Sequence, residues 1–374
     1  MRLYDTARGE LSELSPGPRV TMYTCGITPY DAAHLGHASV YLTYDLLQRR
    51  LRDAGHETRC VRNITDVDDD ILRKARQRGM HYQDLATAEV TRFQAVLAAL
   101  GLLPAFSEPR ATEAIPDILG FIGMVLESGH AYRSGGAVYF DVSSFERFGR
   151  LSKLGRDEML VLAAERGGNP DDPAKHDPLD FVLWQPSLED EPAWESLWGP
   201  GRPGWHIECS ALALRELGET IDLHGGGSDL IFPHHECELA QSEAVTGRTF
   251  VRHWMHVGMV GLEGVKMSKS LGNLVFVREL LDKHGSAAVR LALASRHYRS
   301  DWSYEPAMME LAEDRLERWR SSGGTAGGEE ALLDAVRSRL DDDLDAPGAL
   351  ELIDEAASSG RRVEPAMRLL GVEP

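Results

Sequence analysis

Two short motifs far apart in the chain constrain it most: His34-Leu35-Gly36-His37 near the start and Lys266-Met267-Ser268-Lys269-Ser270 about 230 residues later. The first follows a strand-like run, Val20 to Cys25, and opens a helix-like one. Gly36 and a helix N-terminus there let phosphate come close to backbone and imidazole donors. The second lies between Gly264 and Gly272, so Lys266 and Lys269 ride a hinged loop that could close over a triphosphate and stabilise charge developing at the α-phosphate. Each half alone has a plainer reading, as two capping or surface histidines and as a solvated lysine-serine loop. In this order, on an alternating α/β pattern, the pair reads as two halves of one ATP-activating site.

Length and composition agree with a soluble enzyme. A chain of 374 residues can bury a large core and is long enough for a main domain with one or two smaller ones. The longest apolar stretch, Ala95 to Phe106, is interrupted by Gly101 and Pro104 and is too short to span a bilayer. Met1-Arg2-Leu3-Tyr4-Asp5 has no charged lead before an apolar core, so a cytoplasmic protein is expected. Cys25, Cys60, Cys209 and Cys237 are then thiols or metal ligands rather than disulfides. The net charge of -19 favours solubility and repels polyanions at long range, without excluding a local basic groove.

The pattern predicts a buried strand over Val20 to Thr24, an amphipathic helix over His37 to Ala54 and a second strand over Thr58 to Asn63. This is a βαβ unit, which argues for a parallel sheet with its ligand at the carboxyl ends of the strands. Asp70 to Leu103 reads as two helical pieces broken near Gly79, and Pro109 to Ala131 as another helix. The expected division is a first catalytic half over 1–133, an inserted, Gly/Pro-rich and acidic subdomain over 134–198, a second catalytic half over 199–304, and a helical region over 305–374 with a break at Ser321 to Gly328.

Four further strings narrow the reading: Cys25-Gly26-Ile27-Thr28-Pro29-Tyr30-Asp31, Asn63-Ile64-Thr65-Asp66-Val67-Asp68-Asp69, Gly201-Arg202-Pro203-Gly204-Trp205-His206-Ile207-Glu208-Cys209 and Gly225-Gly226-Gly227-Ser228-Asp229-Leu230-Ile231-Phe232-Pro233-His234-His235-Glu236. With the two motifs, they resemble class I aminoacyl-tRNA synthetases, and among these cysteinyl-tRNA synthetase and its relative, mycothiol cysteine ligase. Ile27-Thr28-Pro29, His37, Glu165 to Pro170 and His297 to Trp302 look more like the ligase. The resemblance implies a Rossmann-like α/β catalytic domain with an inserted subdomain and a C-terminal helical bundle. It implies activation of L-cysteine with Mg2+ and ATP to the adenylate, then transfer to the amine of glucosaminyl-inositol; a monomer is expected. A minimal cysteinyl-tRNA synthetase and a cysteine ligase with another amine acceptor are the alternatives.

The same resemblance implies a zinc ion that binds the substrate thiolate, held by Cys25, Cys209 and His234, with Glu238 a possible fourth ligand. Spacing alone does not find this site, because no Cys-x-x-Cys is present. His234 and Glu238 do lie one helical turn apart and can face one point. Zinc with an open position favours a thiolate over the hydroxyl of serine, so no editing domain is needed. His235 and Glu236 are expected in supporting roles, and Cys60 and Cys237 in packing. His34, His37, Lys266 and Lys269 carry over as catalytic groups, and Gly36, Gly227, Met267 and Ser268 as nucleotide contacts. Thr28, Trp205, Gly26 and Thr65 frame the bound cysteine, with simple core packing open for Thr28 and Trp205. Asp229 either contacts ribose or ammonium or caps a turn. Asp66, Asp68 and Asp69 with Thr65 look like a magnesium cluster, but a helix cap or solvated loop is the better reading.

The acceptor is read from the C-terminal region. Glu305 to Pro374 holds 17 Asp/Glu, 8 Arg and no Lys, a net charge of 8 - 17 = -9. An anticodon-binding domain needs a basic face for phosphates, so a small polar amine is the expected acceptor and tRNA is not. If Lys269 acts on developing phosphate charge, Lys269→Ala lowers kcat far more than it raises the apparent constant for cysteine. Steady-state ATP–pyrophosphate exchange checks this, and loss of cysteine affinity at unchanged turnover would contradict it.

Overall fold

The computed structural model describes residues 1–267, 272–322 and 328–373, with the side chain of Lys266 outside that set. Its centre is a four-stranded parallel sheet of β1 (Arg19–Ile27), β2 (Glu57–Ile64), β3 (Leu223–Gly227) and β4 (Trp254–Val257), in the order β4-β3-β1-β2. From β1 the chain moves outward one way to β2 and the other way to β3. The carboxyl ends of β1 and β3 therefore form the switch point where such sheets bind ligands. Helices α1 (Leu35–Asp53), α2 (Trp205–Leu217), α3 (Glu236–Thr246) and α4 (Val277–Ala294) complete the α/β architecture that the sequence predicts. Leu35, Ala38, Leu42 and Leu46 of α1 are all buried, a 3–4 spacing that lays one face on the sheet.

Between β2 and β3 stands a separate antiparallel sheet of Ala131–Ser134, Ala137–Phe140, Phe181–Pro186 and Gly201–Pro203. Its outer strands reach past both ends of 134–198. The helix expected over Pro109 to Ala131 spans only Ile115–Glu127. Residues 107–110 instead run beside β2: Arg62 N–H donates to Ser107 O at 3.1 Å and Ile64 N–H to Pro109 O at 2.8 Å. Edge-strand pairing overrides the local helical pattern there.

Four C-terminal helices, Ala307–Ser321, Glu329–Leu340, Ala346–Ser358 and Glu364–Leu369, share one apolar core with α1 and α4. Part of the Ser321 to Gly328 break, 323–327, lies outside the described residues. The fully buried Arg290 of α4 ties these parts together. Its guanidinium bonds Asp45 of α1 at 2.6 Å, Leu100 O at 3.0 Å and Leu370 O at 2.7 Å. Near the start, strand Arg2–Asp5 pairs with Glu10–Glu13 and also with a late segment. Arg2 N–H donates to Asp341 O at 2.7 Å and Asp343 N–H returns to Arg2 O at 2.8 Å. Arg290→Leu removes one of the two guanidinium partners of the buried Asp45, leaving Arg49 Nε at 2.8 Å and Leu103 N–H at 2.7 Å, so a loss of ~1–3 kcal/mol is expected in denaturant unfolding.

Candidate active site and metal cluster

The first motif sits where β1 hands over to α1. His34 is the N-cap, its Nδ1 accepting from Gly36 N–H at 3.2 Å, and His37 Nδ1 accepts from His34 N–H at 3.4 Å. The two half-buried imidazoles stack with centroids 3.8 Å apart. The capping role left open in the sequence is thus present in this structure. The same segment is pinned to the chain after the second motif, with Leu35 N–H donating to Val275 O at 2.9 Å and Val277 N–H to Ala33 O at 3.2 Å. Leading into that motif, Val265–Lys266 pairs back on Val260–Leu262 through a tight turn at Glu263 and Gly264, both at positive φ. Met267 is buried in the core. Ser268, Lys269 and the side chain of Lys266 lie outside the described residues.

The cysteine, histidine and glutamate candidates come together at the sheet's carboxyl end. Cys25 lies near the carboxyl end of β1, Cys209 lies on α2, and His234 and Glu238 flank the start of α3. One donor atom from each lies within 4.8 Å of all the others. Cys25 Sγ is 4.0 Å from Cys209 Sγ and 3.4 Å from a Glu238 oxygen, and His234 Nε2 is 3.1 Å from the same carboxylate. His234 Nε2 is fully buried without a hydrogen bond. Its Nδ1 faces His206 Nδ1 at 2.9 Å, and Trp205 covers its ring at 4.2 Å.

Three histidines beyond the expected ligands and one asparagine complete the cluster. His224 Nε2 meets the other Glu238 oxygen at 2.9 Å, and His235 Nε2 lies 3.3 Å from Cys25 Sγ while its Nδ1 meets His256 Nε2 at 2.7 Å. Cys25, His224, His235 and Glu238 form a second set of donors within the same 4.8 Å limit. Asn63, at the end of β2, accepts from Gly26 N–H at 2.8 Å and donates to Thr65 Oγ1 at 3.1 Å. His256 follows Trp254 by two residues in β4 and shares its face, a signal the sequence did offer. Nothing in local spacing joins His224 to Glu238 or Asn63 to Gly26.

Burial pushes the thiols of Cys25 and Cys209 up and the imidazoles of His206, His234 and His256 down to about 3. Burial also opposes charge on Glu238, yet His224 and His234 hold its carboxyl below the usual range. Two thiols, a neutral imidazole with an unpartnered nitrogen and a carboxylate are a donor set that fits zinc.

Thr28 is half-buried, and Thr65 is buried with its N–H on Ile27 O at 3.0 Å. Asp229 lies in the short turn Ser228–Leu230 beside Gly227, where a Cβ would stand 2.6 Å from its carboxylate. Asp66 holds Thr112 N–H and Oγ1 at 2.9 and 2.7 Å, and Asp68 caps helix Asp69–Arg78. These are capping and bracing roles. Glu236 accepts from Gly149 and Ser152 N–H, each at 2.8 Å, bracing α3 against a turn between strands of the inserted sheet.

Residues 12–314 match the family described as tRNA synthetases class I (C) catalytic domain. The chain belongs to this family. Its curated relatives include L-cysteine:1D-myo-inositol 2-amino-2-deoxy-alpha-D-glucopyranoside ligases. That of Thermobispora bispora is 49% identical over 96% of this chain and 90% of its own length, and that of Streptosporangium roseum 48% over 95% and 88%. In fold, the chain resembles Mycobacterium tuberculosis methionyl-tRNA synthetase bound by methionyl-adenylate, with a TM-score of 0.68 and 17% identity over 95% of this chain and 88% of that one. Among the described residues, no helix is long and apolar enough to cross a membrane.

If the class I cluster holds zinc, elemental analysis gives one ion per chain. Cys209→Ser then lowers that content by half or more with the circular dichroism spectrum unchanged, and full metal retention would contradict it.

Proposed function

We propose that this class I chain activates L-cysteine with Mg-ATP and passes the cysteinyl group to the amine of 1D-myo-inositol 2-amino-2-deoxy-alpha-D-glucopyranoside, a step in mycothiol biosynthesis. The observation that carries the reading is the near-full-length likeness to ligases named for that reaction. The acidic, lysine-free C-terminal region supports it against a transfer-RNA acceptor, which needs several basic phosphate contacts.

In the first step a carboxylate oxygen of cysteine attacks the α-phosphorus of ATP and the bond to pyrophosphate breaks. His34, His37, Lys266 and Lys269 stabilise the charge that develops on the phosphate oxygens. Gly36 and Gly227 let the nucleotide close to the backbone, with Met267 and Ser268 of the second motif as further nucleotide contacts. Thr28, Trp205, Asp229, Gly26 and Thr65 hold the amino acid. In the second step the acceptor nitrogen attacks the acyl carbon, AMP leaves, and the nitrogen loses a proton to form the amide. Cys25, Cys209, His234 and Glu238 would hold zinc, which when bound supplies selective affinity for a thiolate over a hydroxyl. The reaction is assigned to the cytoplasm and to the monomer.

Purified protein given cysteine, ATP and the amino-sugar acceptor should form the amide with AMP in equal amounts, while added tRNA-Cys neither accepts cysteine nor competes. Formation of cysteinyl-tRNA at a comparable rate would replace this reading with that of a minimal cysteinyl-tRNA synthetase.

A further inference from the structure

A cavity of about 430 Å³ opens between helix Asp69–Arg78, the turn into helix Tyr82–Ala99 and residues 189–192 of the inserted sheet's last loop. No step above uses it. Its volume is in the range of small-molecule sites. Leu72 and Tyr82 supply an apolar and aromatic floor, and Gln83 and Glu189 line the rim as exposed polar side chains. The far wall is built in advance. Arg76 crosses from the helix to the loop, bonding Asp190 at 2.6 and 3.0 Å and Glu191 at 2.9 Å. Glu191 is almost fully buried, with its side chain 3% exposed, and also accepts from Arg202 at 2.9 Å.

This wall leads to the metal cluster. Arg202 also bonds Asp69, at the start of the cavity's helix, and lies three residues before Trp205, the ring over His234. An extended stretch of three residues covers about 10 Å. The helix itself begins five residues past the end of β2, and Leu72 is one turn into it, about 5 Å along its axis. Short segments therefore join the cavity to the carboxyl end of β2 and to Trp205. Its lining carries three carboxylates, Glu189, Asp190 and Glu191, against one guanidinium, Arg76, a formal charge of 1 - 3 = -2. That sign repels the phosphates of a nucleic-acid end and suits a polyhydroxylated molecule bearing an amine. Carboxylates and an amide over an apolar floor can accept from hydroxyls while an aromatic ring covers the carbon face of a sugar ring.

We propose that this cavity is the subsite for the polyol part of the amine acceptor, an inference that rests on the amide-forming reaction above. The test uses the full chain and separates the two half-reactions. Gln83→Ala/Glu189→Ala should raise the apparent KM for glucosaminyl-inositol by about tenfold, the scale of one or two lost hydrogen bonds. Cysteine-dependent ATP–pyrophosphate exchange, which never meets the acceptor, should stay within twofold of wild type. Gln83→Trp, which fills the cavity, should act in the same direction and more strongly. Amide formation with an unchanged acceptor KM in both variants overturns the subsite and leaves the reaction standing. A parallel loss of exchange also overturns it, by showing a general structural role. Wild-type protein that makes no amide removes the reaction and the subsite together.

Discussion

Everything at the working end of this molecule depends on how closely strand backbones approach there. A Cβ on Gly26 would fall 1.5 Å from Asn63 O, and one on Gly225 would fall 1.7 Å from Met255 O. No side chain survives at either position without parting β1 from β2 or β3 from β4. With the strands at that separation, Tyr23, His224 and Trp254 fall in one row across three strands, and Cys25 emerges two residues beyond Tyr23. Gly226 leaves room for Leu230, whose Cδ1 would lie 2.8 Å from a Cβ there, while His235 and Cys25 would stand in ordinary contact at 3.6 and 3.8 Å. Small residues on β1 and β3 thus permit large, polar ones to meet.

The cluster they frame is unusual in its burial rather than in its residue types. His224, His234, His235 and Glu238 are each no more than 1% exposed, where a polar group without a partner is costly. Most of these groups answer one another: imidazole to imidazole, imidazole to carboxylate, thiol to carboxylate. His234 Nε2 does not, and neither does His224 Nδ1. The two donor sets share Cys25 and Glu238, and each includes one of these histidines, His234 beside both cysteines in one and His224 in the other.

Much of this was legible in the sequence, for identifiable reasons. The βαβ unit followed from hydrophobic periodicity, and α1 begins at Leu35 because His34 caps it. His234 and Glu238 were readable as a pair because four residues make one helical turn. The cysteines were not readable as partners from spacing, since Cys25 and Cys209 are 184 positions apart and meet only through the sheet; family resemblance supplied that link. His224 and Asn63 escaped for the same reason, because contacts between strands leave no mark at fixed spacing. The helix expected from Pro109 begins late for a related cause. Its first residues run along the edge of β2, and Asp66 holds Thr112 in place.

The pairing of Arg2–Asp5 with Asp341 and Asp343 has a bearing on how the chain is made. Synthesis proceeds from the N-terminus, and domains fold as their residues emerge. The strand Arg2–Asp5 can form its hairpin with Glu10–Glu13 soon after it is made, yet its other partner is translated more than three hundred residues later. Arg290 likewise waits for Leu370 O before its last hydrogen bond closes. The nascent protein must carry a partly finished core until residues 341–370 are made, so its exposure to chaperones and proteases is set by elongation as much as by the stability of the finished fold.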